Sequence, residues 1–81
     1  MKFEASLKQL AFVLPDSCKS AEVIFQKRFG EEQTFQLVVQ KHPYPRHVVS
    51  TQNLSLGFWH VILDWWDGNE HYWTEQEILI I

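Results

Sequence analysis

The sequence predicts an all-β fold, a small antiparallel immunoglobulin-like β-sandwich of six to seven strands. Apolar residues alternate with a period of two rather than 3.6 along most of the chain. Turn signals separate these short runs at regular intervals, as in sandwiches and barrels. The two longest runs, 58–66 and 71–81, flank an Asp-Gly-Asn-Glu sequence that is typical of a hairpin turn. An open barrel is the alternative architecture.

The N-terminal segment 3–10 is ambiguous. Phe3, Ala5 and Leu7 share a strand face, but the parity slips before Leu10, so a bulge or turn is expected near Lys8-Gln9. A short helix is the competing interpretation, because Phe3, Leu7 and Leu10 also fit a helical stripe. We favour the strand.

The middle of the chain contains four further alternating runs. They predict strands over 10–14, 22–30, 35–40 and 48–51. Pro15-Asp16-Ser17 ends the first run, Gly30 ends the second, and the Pro-rich stretch 42–47 follows the third.

In the final hairpin, strand parity separates two faces. One face of the first strand is uniformly apolar and should point into the core; it comprises Trp59, Val61, Leu63 and Trp65. The opposite face mixes rings with ionisable groups and should point to solvent or a partner; it comprises Phe58, His60, Ile62, Asp64 and Trp66. On the second strand, Tyr72, Thr74, Gln76, Ile78 and Ile80 share the inner side. Glu75 and Glu77 should stay hydrated, which places Trp73 and Leu79 on the outer face.

The outer face therefore contains a predicted aromatic patch, with Phe58, Trp66 and Trp73 as candidate partner contacts and Ile62 between them. Exposed apolar patches usually mark contact surfaces, and Trp is common at binding hot spots. The alternative is cross-strand pairing that only stabilises the hairpin, worth about 0.2–1 kcal/mol per pair.

Composition narrows the class of protein. The 81 residues predict one domain, 1–81. A net charge of −3 argues against nucleic-acid binding. The single cysteine, Cys18, provides neither an internal disulfide nor a Cys-pair metal motif. No run approaches the 18 apolar residues of a transmembrane helix, and the first ten residues lack the apolar core of a signal peptide.

Candidate chemistry is sparse. His60 and His71 lie on neighbouring strands of the hairpin, and imidazole suits copper or zinc, so they form the candidate metal pair. Isolated surface histidines are the alternative. His42 and His47 flank a Pro-Tyr-Pro loop at a spacing that matches no metal signature. The chain lacks a Gly-rich phosphate loop and a nucleophile elbow, so we predict that it is not an enzyme.

The final third, 50–81, resembles the C-terminal half of FixH-type proteins. The shared pattern includes Gly57, Trp59, Val61, Leu63, Asp64, Trp65, Tyr72, Glu75, Ile78 and Ile80. The segment 22–30 resembles the family's strand that ends in an aromatic-Arg-Pro-Ser turn, although Arg28-Phe29-Gly30 replaces that turn here. Phe12 to Pro15 resembles the preceding strand, so the resemblance covers about two thirds of the chain.

The resemblance implies a non-catalytic accessory domain that acts in assembly or copper supply of a cbb-type cytochrome oxidase. Its partners would be other membrane components of oxidase maturation, and copper would be the associated metal. It also implies a soluble domain on the periplasmic side of the cytoplasmic membrane, separated from an N-terminal transmembrane anchor, with Met1 as an expression start.

A carbohydrate- or small-ligand-binding sandwich is the alternative function. Trp66, Trp73 and Tyr44 would serve as stacking platforms beside Asp64 and Glu75. Such a protein should present a groove with exposed ring faces, whereas an interaction module should present a flat apolar patch.

Overall fold

The computed structural model describes all 81 residues and contains seven strands in two antiparallel sheets. The strands are β1 Lys2–Glu4, β2 Gln9–Val13, β3 Ser20–Lys27, β4 Thr34–Val38, β5 Arg46–Ser50, β6 Gly57–Trp66 and β7 His71–Ile80. One sheet has the order β1-β2-β5 and the other β4-β3-β6-β7. The chain leaves the first sheet after β2 and returns to it as β5, as in immunoglobulin-like sandwiches. The predicted fold class is confirmed.

The N-terminal segment is a short hairpin. After β1, residues Ala5–Leu7 form one turn of 3₁₀-helix, and Lys8 takes a left-handed conformation with φ 51° and ψ 51°. The predicted break near Lys8-Gln9 is confirmed. The assignment of Ala5 and Leu7 to the strand face of Phe3 was wrong, because the turn directs Leu7 into solvent. Phe3 instead pairs with Leu10 across the hairpin.

The core lies between the sheets and draws on both. Its buried members are Leu10, Phe12, Leu14, Cys18, Ala21, Val23, Phe25, Trp59, Val61, Leu63 and Ile78. Trp59 is completely buried, and its indole Nε1–H donates to the Ser55 carbonyl at 2.9 Å. The inward assignment of Trp59, Val61 and Leu63 is confirmed. Buried rings such as Trp59 dominate the stability of a domain this small.

Trp65 packs against the core as predicted, but Trp65 and the first half of β7 are less covered than expected. Trp65 is only half-buried and stacks on Tyr72, with ring centroids 4.3 Å apart. On the inner side of β7, Ile78 is buried but Tyr72 and Thr74 are exposed. The three strands of the opposite sheet are each five residues or shorter, whereas β6 and β7 have ten. The hairpin therefore extends past the layer that covers it. No helix in the structure has the length and hydrophobicity to cross a bilayer.

Candidate functional site: the outer face of the final hairpin

The final hairpin carries half of the chain's carboxylates and none of its Lys or Arg side chains. Residues 57–81 contain five carboxylates and no Lys or Arg, whereas residues 1–56 contain seven Lys and Arg against five carboxylates. The five are Asp64, Asp67, Glu70, Glu75 and Glu77. The net charge of −3 does not reveal this division, whereas a count of charges along the chain does. The hairpin is an acidic surface on a domain whose remainder is slightly basic.

The outer face has its most exposed ring near the hairpin turn. Trp73, opposite Asp64 on β6, is 63% exposed. Trp66 is also exposed and lies on the neighbouring rung, opposite His71. The diagonal separation of two such positions is about 7–8 Å, which brings both indoles within reach of one bound side chain. Trp66 and Trp73 therefore lie on adjacent rungs of one face, and the His71–Asp64 hydrogen bond crosses between them.

Phe58 belongs to a second apolar group at the far end of the same face. It lies eight residues from Trp66 on β6, or about 26 Å away at roughly 3.3 Å per residue. Its neighbours are Leu79 across the strand pair and Phe29, which meets its ring edge-on at 6.1 Å between centroids. The predicted patch is thus two apolar groups, one at each end of the hairpin.

Polar pairs occupy the middle of the outer face. His60 donates through Nε2 to Glu75 at 3.0 Å, and the Arg28 Nε lies 2.8 Å from Glu77 Oε1. Ile62, half-buried, is the apolar member of this region. Exposed ion pairs of this kind contribute about 0–1 kcal/mol to stability. They leave few positive charges between the two apolar groups, because Arg28 is the only Lys or Arg side chain paired with a hairpin carboxylate.

The predicted metal pair is not formed. His60 and His71 do share the outer face, but His71 is opposite Trp66, six residues from His60, which separates them by about 20 Å. Each imidazole uses Nε2 on a carboxylate, Glu75 for His60 and Asp64 for His71. No group of three or more His, Cys, Asp or Glu side chains is placed to hold a metal ion. These residues do not fit a copper site.

The hairpin turn is a hydrogen-bonded acidic cluster. Asp67 Oδ1 accepts the backbone N–H groups of Glu70 at 2.6 Å and Asn69 at 2.8 Å, and these bonds lower the Asp67 pKa below its ordinary value. The Tyr72 hydroxyl donates to Glu70 Oε2 at 2.9 Å. This bond, with smaller effects of desolvation and the Asp67 charge, raises the pKa of Tyr72 to about 12. The turn fixes the register of β6 and β7.

No cavity is lined by the three rings of the carbohydrate alternative together. Tyr44 lies in the loop before β5, where its ring meets His42 at 6.0 Å between centroids. A cavity of about 210 Å³ borders Trp66, together with Glu22 and Asp64. Neither Tyr44 nor Trp73 lines that cavity.

His47 has an environment that sequence reasoning missed. It is buried, stacks on His42 at 4.0 Å between ring centroids, and has Nδ1 3.0 Å from the Pro45 carbonyl. Its buried Nε2 has no hydrogen-bond partner. Alternation with Val49 on β5 is the sequence signal that places His47 on the inner side.

The chain matches no protein-family model, no curated protein and no solved structure.

Proposed function

We propose that this chain is a non-catalytic accessory domain that acts by binding a protein partner through the outer face of the β6–β7 hairpin. The observation that carries the proposal is the position of Trp66 and Trp73. Both indoles are exposed, lie on adjacent rungs, and stand on a hairpin with five carboxylates and no Lys or Arg.

The surface defines the chemistry of the partner. Arg and Lys side chains stack favourably on indole faces and form ion pairs with neighbouring carboxylates. Trp is also among the residue types enriched at the energetic centre of an interface. A basic protein surface therefore complements this face in charge and in stacking on its rings.

The resemblance to FixH-type proteins supports a class of partner, the membrane components of cbb-type oxidase maturation. The pattern that carries it includes Trp59, Val61 and Leu63, which are buried in the structure. Trp66 and Trp73 lie outside that pattern. Because no copper ligand set is formed, we propose a role in assembly rather than direct copper supply.

Site-specific photocrosslinking in the native cells tests the proposal. A photoreactive residue at position 73 is compared with one at position 36, because Gln36 is exposed on the same sheet but on the opposite edge strand. We expect position 73 to crosslink a membrane protein of oxidase maturation and position 36 to give no such product. Adding Trp66→Ser should reduce the product while leaving the folded state unchanged by circular dichroism.

Two results would contradict the proposal. One is an identical set of products from positions 73 and 36. The other is normal oxidase assembly in cells whose only copy carries both Trp66→Ser and Trp73→Ser. Retention of the wild-type domain, but not the double variant, on an insoluble polysaccharide would favour the carbohydrate alternative.

A further inference from the structure

The free edge of β7 differs from the other sheet edges in length and regularity. β7 has ten residues, and all ten pair in unbroken register with β6. The other edge strands, β1, β4 and β5, have three, five and five residues. Long edges are normally blocked by Pro, by charged side chains and Lys above all, by a bulge or by a covering segment. β7 contains no Pro or Lys, its register shows no bulge, and its charged side chains are the acidic Glu75 and Glu77.

The hydrogen-bond alternation identifies which backbone groups are unpaired along this edge. Asp67 N–H donates to the Glu70 carbonyl at 3.1 Å, so this pair is a hydrogen-bonded one. In an antiparallel ladder the bonded pairs then alternate with non-bonded pairs, whose backbone groups point to the opposite side. The carbonyls of Trp66 and Phe58 accept bonds from the β3 side, as this alternation requires. The residues whose N–H and C=O groups face the free edge are therefore His71, Trp73, Glu75, Glu77 and Leu79.

Charge discriminates between possible occupants of the edge. A second copy of β7, paired antiparallel about the strand centre, would bring Glu75 and Glu77 of both chains together on one face. Like charges directly opposite each other destabilise strand pairing, whereas opposite charges contribute favourably. The same two carboxylates would attract a strand with Lys or Arg at the opposing positions. Trp73 and Leu79 flank them and offer apolar contacts at each end.

We propose that the β7 edge binds an extended basic segment of a partner protein, which adds to the four-stranded sheet as a fifth strand. The segment would carry basic residues opposite Glu75 and Glu77 and apolar residues opposite Trp73 and Leu79. Main-chain bonds would supply affinity, and these alternate side chains would supply specificity. This inference rests on the proposed function and specifies how the partner is held.

An added strand would also cover exposed side chains on the inner side of β7. Tyr72 and Thr74 point inward but remain exposed, because the three-stranded sheet does not reach them. Alternate side chains of an incoming strand would lie beside them, on the opposite side from its basic residues. The part of β7 near Tyr72 and Thr74 would then contact the added strand on both its inner and its outer face.

A pair of synthetic peptides tests directly whether a basic strand adds to the β7 edge. The probe is a ten-residue alternating Lys-Val peptide with blocked termini, and the control replaces every Lys by Glu. Amide hydrogen exchange of the ¹⁵N-labelled protein is measured with each peptide. We expect the Lys peptide to slow exchange at Trp73, Glu75 and Glu77, whereas Thr74 and Gln76, already bonded to β6, change little.

Reversing the charges of Glu75 and Glu77 provides a matched protein variant, because both side chains are exposed and the core is unchanged. The double variant Glu75→Lys with Glu77→Lys should bind the Lys peptide roughly tenfold more weakly and the Glu peptide roughly tenfold more tightly, as two opposing pairs change sign. Gln36→Pro, at an outward-facing position of the β4 edge, should leave binding unchanged, whereas Glu75→Pro should abolish it because Pro cannot donate to an added strand.

The outcomes separate this inference from the proposed function. Binding of the Lys peptide that depends on Trp66 and Trp73 but leaves the edge amides unprotected would overturn strand addition and leave face binding in place. Edge protection that rises with protein concentration without peptide would instead identify a second copy as the occupant. Absence of Lys-peptide binding would overturn the inference, while the crosslinking result at position 73 would still decide the proposed function.

Discussion

The two faces of the β6–β7 hairpin are made of similar residues but have opposite roles. Each face carries tryptophan and branched aliphatic side chains. On the inner face, Trp59 is fully buried and its indole N–H is hydrogen-bonded to Ser55. On the outer face, Trp73 is 63% exposed and its neighbours are ionisable. The difference shows that the position of a ring in the strand alternation, rather than its chemistry, decides whether it stabilises the fold or remains free to bind.

The largest expected difference between the faces is in folding stability. Trp59→Ala should lower the free energy of unfolding by about 3–5 kcal/mol, because it removes a large buried ring and leaves a cavity. Trp73→Ala should lower it by less than about 1 kcal/mol, as expected for an exposed position. Urea denaturation of both variants measures the difference, with Trp59→Phe as a graded control. Equal losses would contradict the division into faces.

A second comparison uses neighbouring residues of β7. Ile78→Ala should cost about 2–4 kcal/mol, since Ile78 is buried in the core. Leu79→Ala should cost about 0.5 kcal/mol, because its side chain is half-exposed on the outer face. Thermal unfolding of the two variants provides the measurement. A larger loss for Leu79→Ala would mean that the parity of β7 is inverted.

The β6–β7 turn contributes to folding stability through its backbone conformation rather than through burial of side chains. Gly68 has φ +100°, and a Cβ there would meet only the Lys19 side chain, at 3.6 Å. Gly68→Ala should therefore destabilise the fold by about 1–2 kcal/mol through left-handed strain. Asn69→Ala, at a neighbouring position without positive φ, is the control. A neutral Gly68→Ala would show that another turn type serves equally well.

The smallest expected effect is the pH dependence of the turn. The Tyr72 pKa is raised from 10.0 to about 12, so its stabilising effect is complete below pH 10 and is lost as the pH rises towards 12. The Asp67 pKa is lowered, so its effect is complete above pH 3.8 and is lost as the pH falls through the lowered value. Ultraviolet titration of tyrosinate, with Tyr72→Phe subtracted, tests the first statement. An ordinary pKa for Tyr72 would contradict its bond to Glu70.

Much of this hairpin was predictable because its signals are local. Period-two alternation assigned Trp59 to the core, and the Asp-Gly-Asn-Glu turn identified the strand ends. The same turn also fixes the rung of every residue, and it pairs His60 with Glu77 and His71 with Trp66. The His60–His71 pair does not form, because both residues were assigned to the outer face without a comparison of their positions along the hairpin.

Other features depend on long-range pairing that alternation does not encode. The half-covered state of Trp65 and Tyr72 follows from the short strands of the opposite sheet, which are set by contacts distant in sequence. The 3₁₀ turn at Ala5–Leu7 depends on Lys8 adopting a left-handed conformation, which Lys rarely adopts. Predicting that His47 is buried requires knowing which side of β5 faces the core.

Exchange of the four indole N–H protons tests the division of the hairpin most directly. Each signal is assigned by a single Trp→Phe substitution, and its exchange with deuterated solvent is followed by NMR. The structure predicts that the Trp59 proton, buried and bonded to Ser55, exchanges only on unfolding, while those of Trp66 and Trp73 exchange at once. Slow exchange at Trp73, or rapid exchange at Trp59, would contradict the account.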